Sequence, residues 1–268
     1  MPSVAYVAAD AWCRIGTTSS PKCGRAACAY RELMSLDARH VRSASLTRRL
    51  LSCGVAAGPV FVGVFLVEGA RRADYSALRH PVSALSLGSR GWVQVANFAA
   101  VGSLYIAGAS GLGRLPDGTA SARLGPALIG AAGAGLIASG VFATEPVSGY
   151  PPGPPAVAVE PVPRSSPVGR HGLAAIPFVA GLPTAALTYA WRFHQSGNPR
   201  WAVYSALTAA SMVTNYLLAA AGFGQAPPLV DRAGLFQRVS IVTAFSWITA
   251  LCARALGSPP PRPPLEAG

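Results

Sequence analysis

The stretch at residues 79–92 reads RHPVSALSLGSRGW. It is the only dense polar segment between two apolar runs that are each long enough to cross a lipid bilayer. A helix needs about 20 apolar residues to cross the hydrocarbon core. The stretch therefore predicts a loop that joins two membrane spans, and the rest of the chain is placed relative to it.

The composition of the chain indicates a membrane protein. Of its 268 residues, 51% are hydrophobic and only 12% are charged, whereas soluble domains carry roughly 25% charged residues. The mean hydropathy is +0.38. The apolar residues come in unbroken runs, which are typical of transmembrane helices, whereas a transmembrane β-barrel would show segments of alternating hydrophobicity.

Six such runs are present, and most of them contain no charged residue. We therefore predict an all-α integral membrane protein, a bundle of six transmembrane helices within residues 47–256. The predicted spans are Leu50–Val67, Trp92–Leu112, Leu124–Thr144, Gly172–Trp191, Trp201–Gly222 and Leu235–Leu256.

The segments outside these spans are more polar. Residues 1–46 are basic and show little periodicity, so we predict a disordered cytoplasmic tail. Met34 offers a second start, so residues 1–33 are either a genuine extension or precede the true amino terminus. The loop from Glu145 to His171 contains eight prolines, which disfavour regular structure, and residues 257–268 form a proline-rich carboxyl-terminal tail.

Basic residues set the predicted orientation, because the cytoplasmic segments of membrane proteins carry the excess of Lys and Arg. The two ends of the chain and the second and fourth loops hold 14 of them, and the first, third and fifth loops with their span ends hold eight. A start at Met34 would change these counts to ten and eight. We predict a multi-pass protein of the cell membrane with both termini in the cytoplasm.

Polar and ionisable side chains collect at the predicted external face. Such groups at membrane depth are candidates for a functional site. Their chemistry suits a metal ion, a phosphate or a lipid head group. The candidate polar cluster consists of His80, Ser83, Glu145, His171 and Arg238.

The cluster has three interpretations. His80, His171 and Glu145 are the ligand types of a two-histidine, one-carboxylate zinc site, but no local spacing motif connects them. Ser83 or Ser86 with a histidine base would suit a hydrolase, although no nucleophile-elbow pattern surrounds either serine. The third interpretation is a structural network that includes an Arg238–Glu145 ion pair.

No pattern in the sequence indicates a cofactor, a dedicated metal site or an assignable catalytic residue. The five cysteines lie in the amino-terminal tail or inside spans, so we expect no disulfide. The expected partners are the lipid bilayer and a lipid or small-molecule ligand. We expect no nucleic-acid binding, because attraction to anionic lipid accounts for the net charge of +12. No feature sets an oligomeric state.

Several short motifs lie at the predicted external face. They are Asp74-Tyr75, residues 79–88, Gly91-Trp92-Val93-Gln94, residues 145–153 (EPVSGYPPG), Gly169-Arg170-His171 and residues 234–238 (GLFQR). Together they resemble the bacterial membrane-protein family known as domain of unknown function 998, over roughly residues 47–256. The resemblance implies a six-span membrane protein and brings no established activity. Glu145 departs from the family pattern, in which Asp is expected, and so lengthens the reach of that carboxylate.

From the sequence we expect a non-enzymatic membrane protein that binds or helps to move a small molecule or lipid, or that supports a partner. The candidate polar cluster on the external face would serve this role. The alternative is a membrane-embedded hydrolase or metal-dependent enzyme that uses the same residues.

Overall fold

The first apolar run lies within a 50-residue helix, α1, which spans Pro21–Ala70 in a computed structural model of the protein. The structure describes residues 21–115, 121–142, 144–152 and 167–257. Two short 3₁₀ helices, Val82–Ser86 and Val230–Arg232, precede α2 and α7. The other α-helices are α2 (Gly91–Gly113), α3 (Ser121–Val141), α4 (Pro167–Val179), α5 (Gly181–Gln195), α6 (Pro199–Phe223) and α7 (Ala233–Gly257).

Six helical segments are long and apolar enough to cross a membrane. They contain most or all of the predicted spans, and the described residues include no β-strand. The predicted all-α, six-helix membrane fold is therefore confirmed. The six segments are Val41–Ala70, Gly91–Gly113, Arg123–Val141, Arg170–Gln195, Pro199–Phe223 and Val230–Gly257.

The fourth span consists of two helices, α4 and α5, which meet at Ala180. Pro177 and Pro183 lie on either side of this point. A proline removes a backbone donor and crowds the preceding turn, so the interruption has a direct cause in the sequence.

The chain contains two compact units, Met1–Leu46 and Thr47–Gly268. In the first unit, the described residues 21–46 belong to α1, whereas the sequence predicts a disordered tail over residues 1–46. A proline at the first helical position favours a helix start, and the residues after Pro21 include many good helix formers. Residues 1–20, the proline-rich loop over residues 153–166 and the tail over residues 258–268 lie outside the described residues.

Small residues let the helices of the second unit approach closely. A Cβ atom added at Gly102 of α2 would lie 2.5 Å from the carbonyl oxygen of Gly133 in α3, and one at Gly133 would lie 2.6 Å from the carbonyl oxygen of Gly102. Such contacts replace the hydrophobic driving force that is missing between helices in lipid. Aromatic rings fill the core beside them, where Phe245 contacts Phe61 and Tyr105 at centroid distances of 5.0 and 4.9 Å.

The polar stretch quoted first belongs to a loop between α1 and α2, residues 71–90, which we call the cap loop. Its 3₁₀ helix buries Val82, Ala84 and Leu85. Hydrogen bonds fasten the loop to the start of α7: the backbone N–H of Leu235 donates to the carbonyl oxygen of Leu78 at 2.9 Å, and that of Val82 donates to Oε1 of Gln237 at 2.7 Å. The cap loop is therefore an ordered part of the fold.

Candidate functional site

His80 is buried in the cap loop, and backbone groups fix the position of its ring. Nδ1 accepts a hydrogen bond from the backbone N–H of Ser76 at 2.9 Å, so the proton of the neutral ring lies on Nε2. Nε2 in turn faces the carbonyl oxygen of Ser148 at 3.3 Å. Both ring nitrogens are thus occupied, and neither is free to bind a metal ion.

Aromatic rings and cations surround His80. The imidazole stacks on Tyr150 at a centroid distance of 5.2 Å and lies 5.6 Å from the ring of Tyr75. Burial lowers the pKa of His80 below its usual value, and the positive charges of Arg79 and Arg238 also lower it. The arrangement holds His80 as a neutral hydrogen-bonding group.

Arg238 is buried at the start of α7 and is held by neutral acceptors. Nη1 donates to the carbonyl oxygens of His80 and Gly234, each at 2.9 Å, and Nη2 donates to the hydroxyl of Tyr75. The guanidinium also lies over the rings of Phe65 and Tyr75 at 5.7 and 5.6 Å, within cation–π range. Its Nε has no hydrogen-bond partner among the described residues.

The predicted ion pair between Arg238 and Glu145 is wrong. Glu145 is half-buried and makes no hydrogen bond or ion pair with the described part of the chain. Backbone carbonyl oxygens and a tyrosine hydroxyl satisfy the guanidinium instead. A sequence shows side-chain charges but not which backbone carbonyl oxygens of a distant segment a side chain will reach, so this outcome could not be read from it.

A second group of charged side chains, centred on Glu68, lies near the contacts of His80 and Arg238. It was not predicted from the sequence. The Glu68 carboxylate is buried at the end of α1, 2.6 Å from Nη2 of Arg90 and 3.6 Å from Nη2 of Arg72. The hydrogen bond and charge of Glu68 raise the pKa of Arg90. Arg72 also donates to the carbonyl oxygens of Leu85 and Leu87, each at 2.7 Å. The signal in the sequence is a lone acid at the end of an apolar run, four residues before an arginine.

A cavity of about 260 Å³ opens among the helices beneath the cap loop. Most of its lining is apolar, with Phe61, Phe98 and Phe178 among the larger side chains. Neutral polar groups complete it: Ser83, Ser139, Thr144, Tyr216, Gln237 and Ser240. Small-molecule sites combine apolar walls with a few polar groups in this way.

His171 also lines this cavity and is oriented by backbone oxygens. Its Nδ1 lies 3.0 Å from the carbonyl oxygen of Ser139 and 3.1 Å from that of Phe142. A carbonyl oxygen only accepts, so Nδ1 carries a proton, and in the neutral imidazole Nε2 is an acceptor without a partner among the described residues. His171 thus offers the cavity a hydrogen-bond acceptor.

The structure places the candidate polar cluster in two neighbouring groups. His80 and Arg238 meet through a hydrogen bond in the cap-loop network, and Ser83 and His171 line the cavity. Glu145 belongs to neither group. In the ranges that the structure describes, no three His, Cys, Asp or Glu side chains lie together as potential metal ligands, so His80, His171 and Glu145 do not assemble the zinc site considered above.

Comparisons with known proteins identify a family. The profile of the family described as "Protein of unknown function (DUF998)" matches residues 55–254. Searches of curated proteins and of solved structures gave no match to the chain. The family match covers all six spans at least in part, together with the cap loop and the cavity.

Proposed function

We propose that this chain, which belongs to the DUF998 family of proteins of unknown function, is a non-enzymatic membrane protein that binds a small, largely apolar molecule in the cavity beneath the cap loop. The cavity itself is the main support for this function. It occupies about 260 Å³ and combines apolar walls with neutral polar groups at one end of the helix bundle. A helix bundle stabilised only by packing would have no need of such a space, because protein interiors are close-packed.

We also propose that the protein crosses the cell membrane six times with both termini in the cytoplasm. The count of 14 basic residues against eight supports this orientation. At the end remote from the cap loop, Arg192 lies over the ring of Tyr189, and Arg254 lies over Phe193 and Trp201. Basic and aromatic side chains together are typical of a membrane interface.

Three basic residues of the cap loop pair with acidic side chains of the protein. Arg72 and Arg90 lie beside Glu68, and Arg79 lies 3.4 Å from Asp231. In the proposed orientation, the cap loop and the cavity lie on the external side.

The test uses a short apolar probe that carries a photoactivatable diazirine, with purified protein in detergent. Ala175 of α4 lines the cavity, and the neighbouring Ile176 is 53% exposed and does not line it. We expect Ala175→Phe to fill the cavity and reduce cross-linking to cavity-lining peptides, whereas the matched variant Ile176→Phe leaves it unchanged. Equal cross-linking in both variants and the wild type would contradict the proposal.

A hydrolase is the second candidate, because Ser83 and His171 line the same cavity. The Nδ1–H of His171 is held by backbone carbonyl oxygens, and a general base in a hydrolase is oriented in the same way, by an acceptor at Nδ1. No hydrogen bond joins Ser83 to His171 in the described structure, and Thr144 faces the Ser83 hydroxyl at 3.5 Å. A fluorophosphonate probe decides between the two: labelling of Ser83 that is lost in His171→Asn would favour the hydrolase, and no labelling is expected.

A further inference from the structure

The cavity lies between two helices that make little contact with each other. Helix α4 packs against α3 and joins α5, and α6 packs against α5 and α7, whereas α4 and α6 have at most sparse contact. Both nevertheless contribute walls to the cavity, α4 through His171 and Ala175 and α6 through Tyr216 and Phe223. The described parts of α4 and α6 therefore leave a gap between them at this level.

Small, exposed residues flank the gap. Gly172 of α4 and Ala220 of α6 line the cavity and are exposed. A Cβ atom added at Gly172 would meet no other atom within 4 Å. A ligand that entered the cavity between α4 and α6 would therefore pass small residues on both sides.

The polar part of the lining consists of hydroxyl groups, one amide and the imidazole of His171. Within the described residues, the cavity wall includes no Asp, Glu, Lys or Arg side chain. His171 offers an acceptor at Nε2, because its Nδ1–H faces backbone oxygens. Gln237 uses Oε1 to accept from Val82, which leaves its amide N–H groups as donors. A ligand group that both donates and accepts would satisfy the two side chains.

The size of the cavity limits the apolar part of a ligand. About 260 Å³ is below the roughly 300–1,000 Å³ of sites for drug-sized molecules. One hydrocarbon chain or part of it fits such a space, and the body of a two-chain lipid does not. A charged head group would also lose its hydration without gaining an opposite charge.

We propose that the ligand is a neutral, hydroxyl-bearing lipid with a single chain, which enters from the bilayer between α4 and α6. This inference rests on the proposed function and specifies its ligand. The hydroxyl donates to Nε2 of His171 and accepts from the Gln237 amide, and the chain lies against the apolar walls between α4 and α6. The contacts require no covalent step.

The lateral route is tested with a long-chain alcohol that carries a diazirine in its chain, added to the protein in lipid vesicles. Ala220→Trp narrows the passage and should strongly reduce cross-linking to cavity-lining peptides. The matched variant Ala221→Trp changes the next exposed residue, which does not line the cavity, and should leave cross-linking unchanged. Thermal unfolding midpoints establish that both variants are folded. Unchanged cross-linking in a folded Ala220→Trp variant would overturn the lateral route.

The head group is tested with three probes that share the same chain and end in a hydroxyl, a carboxylate or a quaternary ammonium. The alcohol should cross-link the cavity best. His171→Asn keeps an N–H for the backbone oxygens and is too short to place an acceptor where Nε2 lies. It should therefore lower cross-linking by the alcohol roughly three- to tenfold, as expected for one hydrogen bond. Stronger cross-linking by a charged probe would overturn the ligand class while leaving the binding function intact. Failure of all three probes to reach the cavity would contradict the binding function as well.

Discussion

The guanidinium of Arg238 donates a hydrogen bond of 2.9 Å to the backbone carbonyl oxygen of His80, 158 residues earlier in the chain. This contact joins the last membrane span to the cap loop that follows the first. The same guanidinium bonds to the hydroxyl of Tyr75, whose pKa is raised by burial in the cap loop. Arg238 therefore fixes the loop that covers the cavity.

The first prediction concerns the stability that Arg238 contributes. Arg238→Met removes a buried cation and leaves the carbonyl oxygen of His80 without this donor. We expect a loss of about 1.5–3 kcal/mol, the range for hydrogen bonds to charged groups. Arg238→Lys should retain only part of this stability, because an ammonium group lacks the planar guanidinium geometry that reaches several acceptors at once. Thermal unfolding in detergent measures the difference.

Arg79→Ala is the matched control for this prediction. Arg79 lies in the same loop, but its ion pair with Asp231 is exposed, with side-chain accessibilities of 44% and 78%. Exposed pairs contribute about 0–1 kcal/mol. A loss in Arg238→Met no greater than that in Arg79→Ala would mean that Arg238 does not fasten the cap loop.

The second prediction is a pH dependence that originates at His80. Its folded-state pKa is lowered by burial, so below its usual value near 6.5 the unfolded chain binds more protons at this residue than the folded protein does. The contribution of His80 to stability is therefore complete above about pH 6.5 and is lost as the pH falls through the folded-state value. A protonated Nδ1 would also lose its hydrogen bond from Ser76.

Unfolding midpoints of the wild type and of His80→Asn between pH 7.5 and 5 test this prediction. The asparagine side chain provides an acceptor for Ser76 but does not titrate. The charged and aromatic neighbours of His80 remain in both proteins, so the difference between the two pH profiles isolates His80. These neighbours are Arg79, Arg238, Tyr75 and Tyr150. The wild type should lose more stability at low pH than His80→Asn. If the two proteins lost stability in parallel as the pH falls, the pH dependence would originate at titratable groups other than His80.

The third prediction concerns the close contact of α2 with α3. Gly102→Ala would place a Cβ atom 2.5 Å from the carbonyl oxygen of Gly133, so the helices must separate. Overpacking of this kind costs about 1–3 kcal/mol. Gly63→Ala is the control, because a Cβ atom there meets nothing within 4 Å, and alanine in a helix is favoured over glycine by about 0.5–1 kcal/mol. Equal thermal unfolding midpoints for the two variants would show that the close contact of α2 with α3 does not contribute to stability.

The fourth prediction tests the orientation. Single cysteines are introduced into a variant whose five native cysteines are replaced by alanine. Pro146→Cys lies in the loop after α3 on the cap-loop side, and Ser196→Cys lies between α5 and α6 at the other end; both positions are exposed. A membrane-impermeant maleimide should label Pro146→Cys in intact cells and Ser196→Cys only after permeabilisation. The reverse pattern would invert the proposed topology.

The six spans can be predicted from the sequence because each one must satisfy the bilayer by itself, within one continuous segment of the chain. An unbroken run such as Trp92–Leu112 has no alternative to a membrane helix, since its backbone must be hydrogen-bonded internally in lipid. The cap-loop contact between His80 and Arg238 depends on two segments that meet only after folding. The sequence therefore indicates that both residues matter but gives the wrong partner for Arg238.

The cavity could not be predicted from the sequence for a related reason. Ser83 and His171 are polar residues at span ends, but their common cavity depends on how α4 and α6 diverge, which no local pattern encodes. Gln237 has no distinctive context in the sequence, and its role appears only when its Oε1 meets the N–H of Val82. Polar residues at the ends of spans are enough to predict which end of the bundle holds a site. They do not predict which of these residues share a cavity.

The most direct test of the central claim is a side-chain-resolution electron microscopy map of the protein in lipid nanodiscs, bound to an antibody fragment. Binding in the cavity predicts an elongated density between α4 and α6 that reaches His171 and Gln237, and its loss in Ala175→Phe. A cavity that is closed by movement of the helices, or filled by the protein's own residues, would contradict the claim.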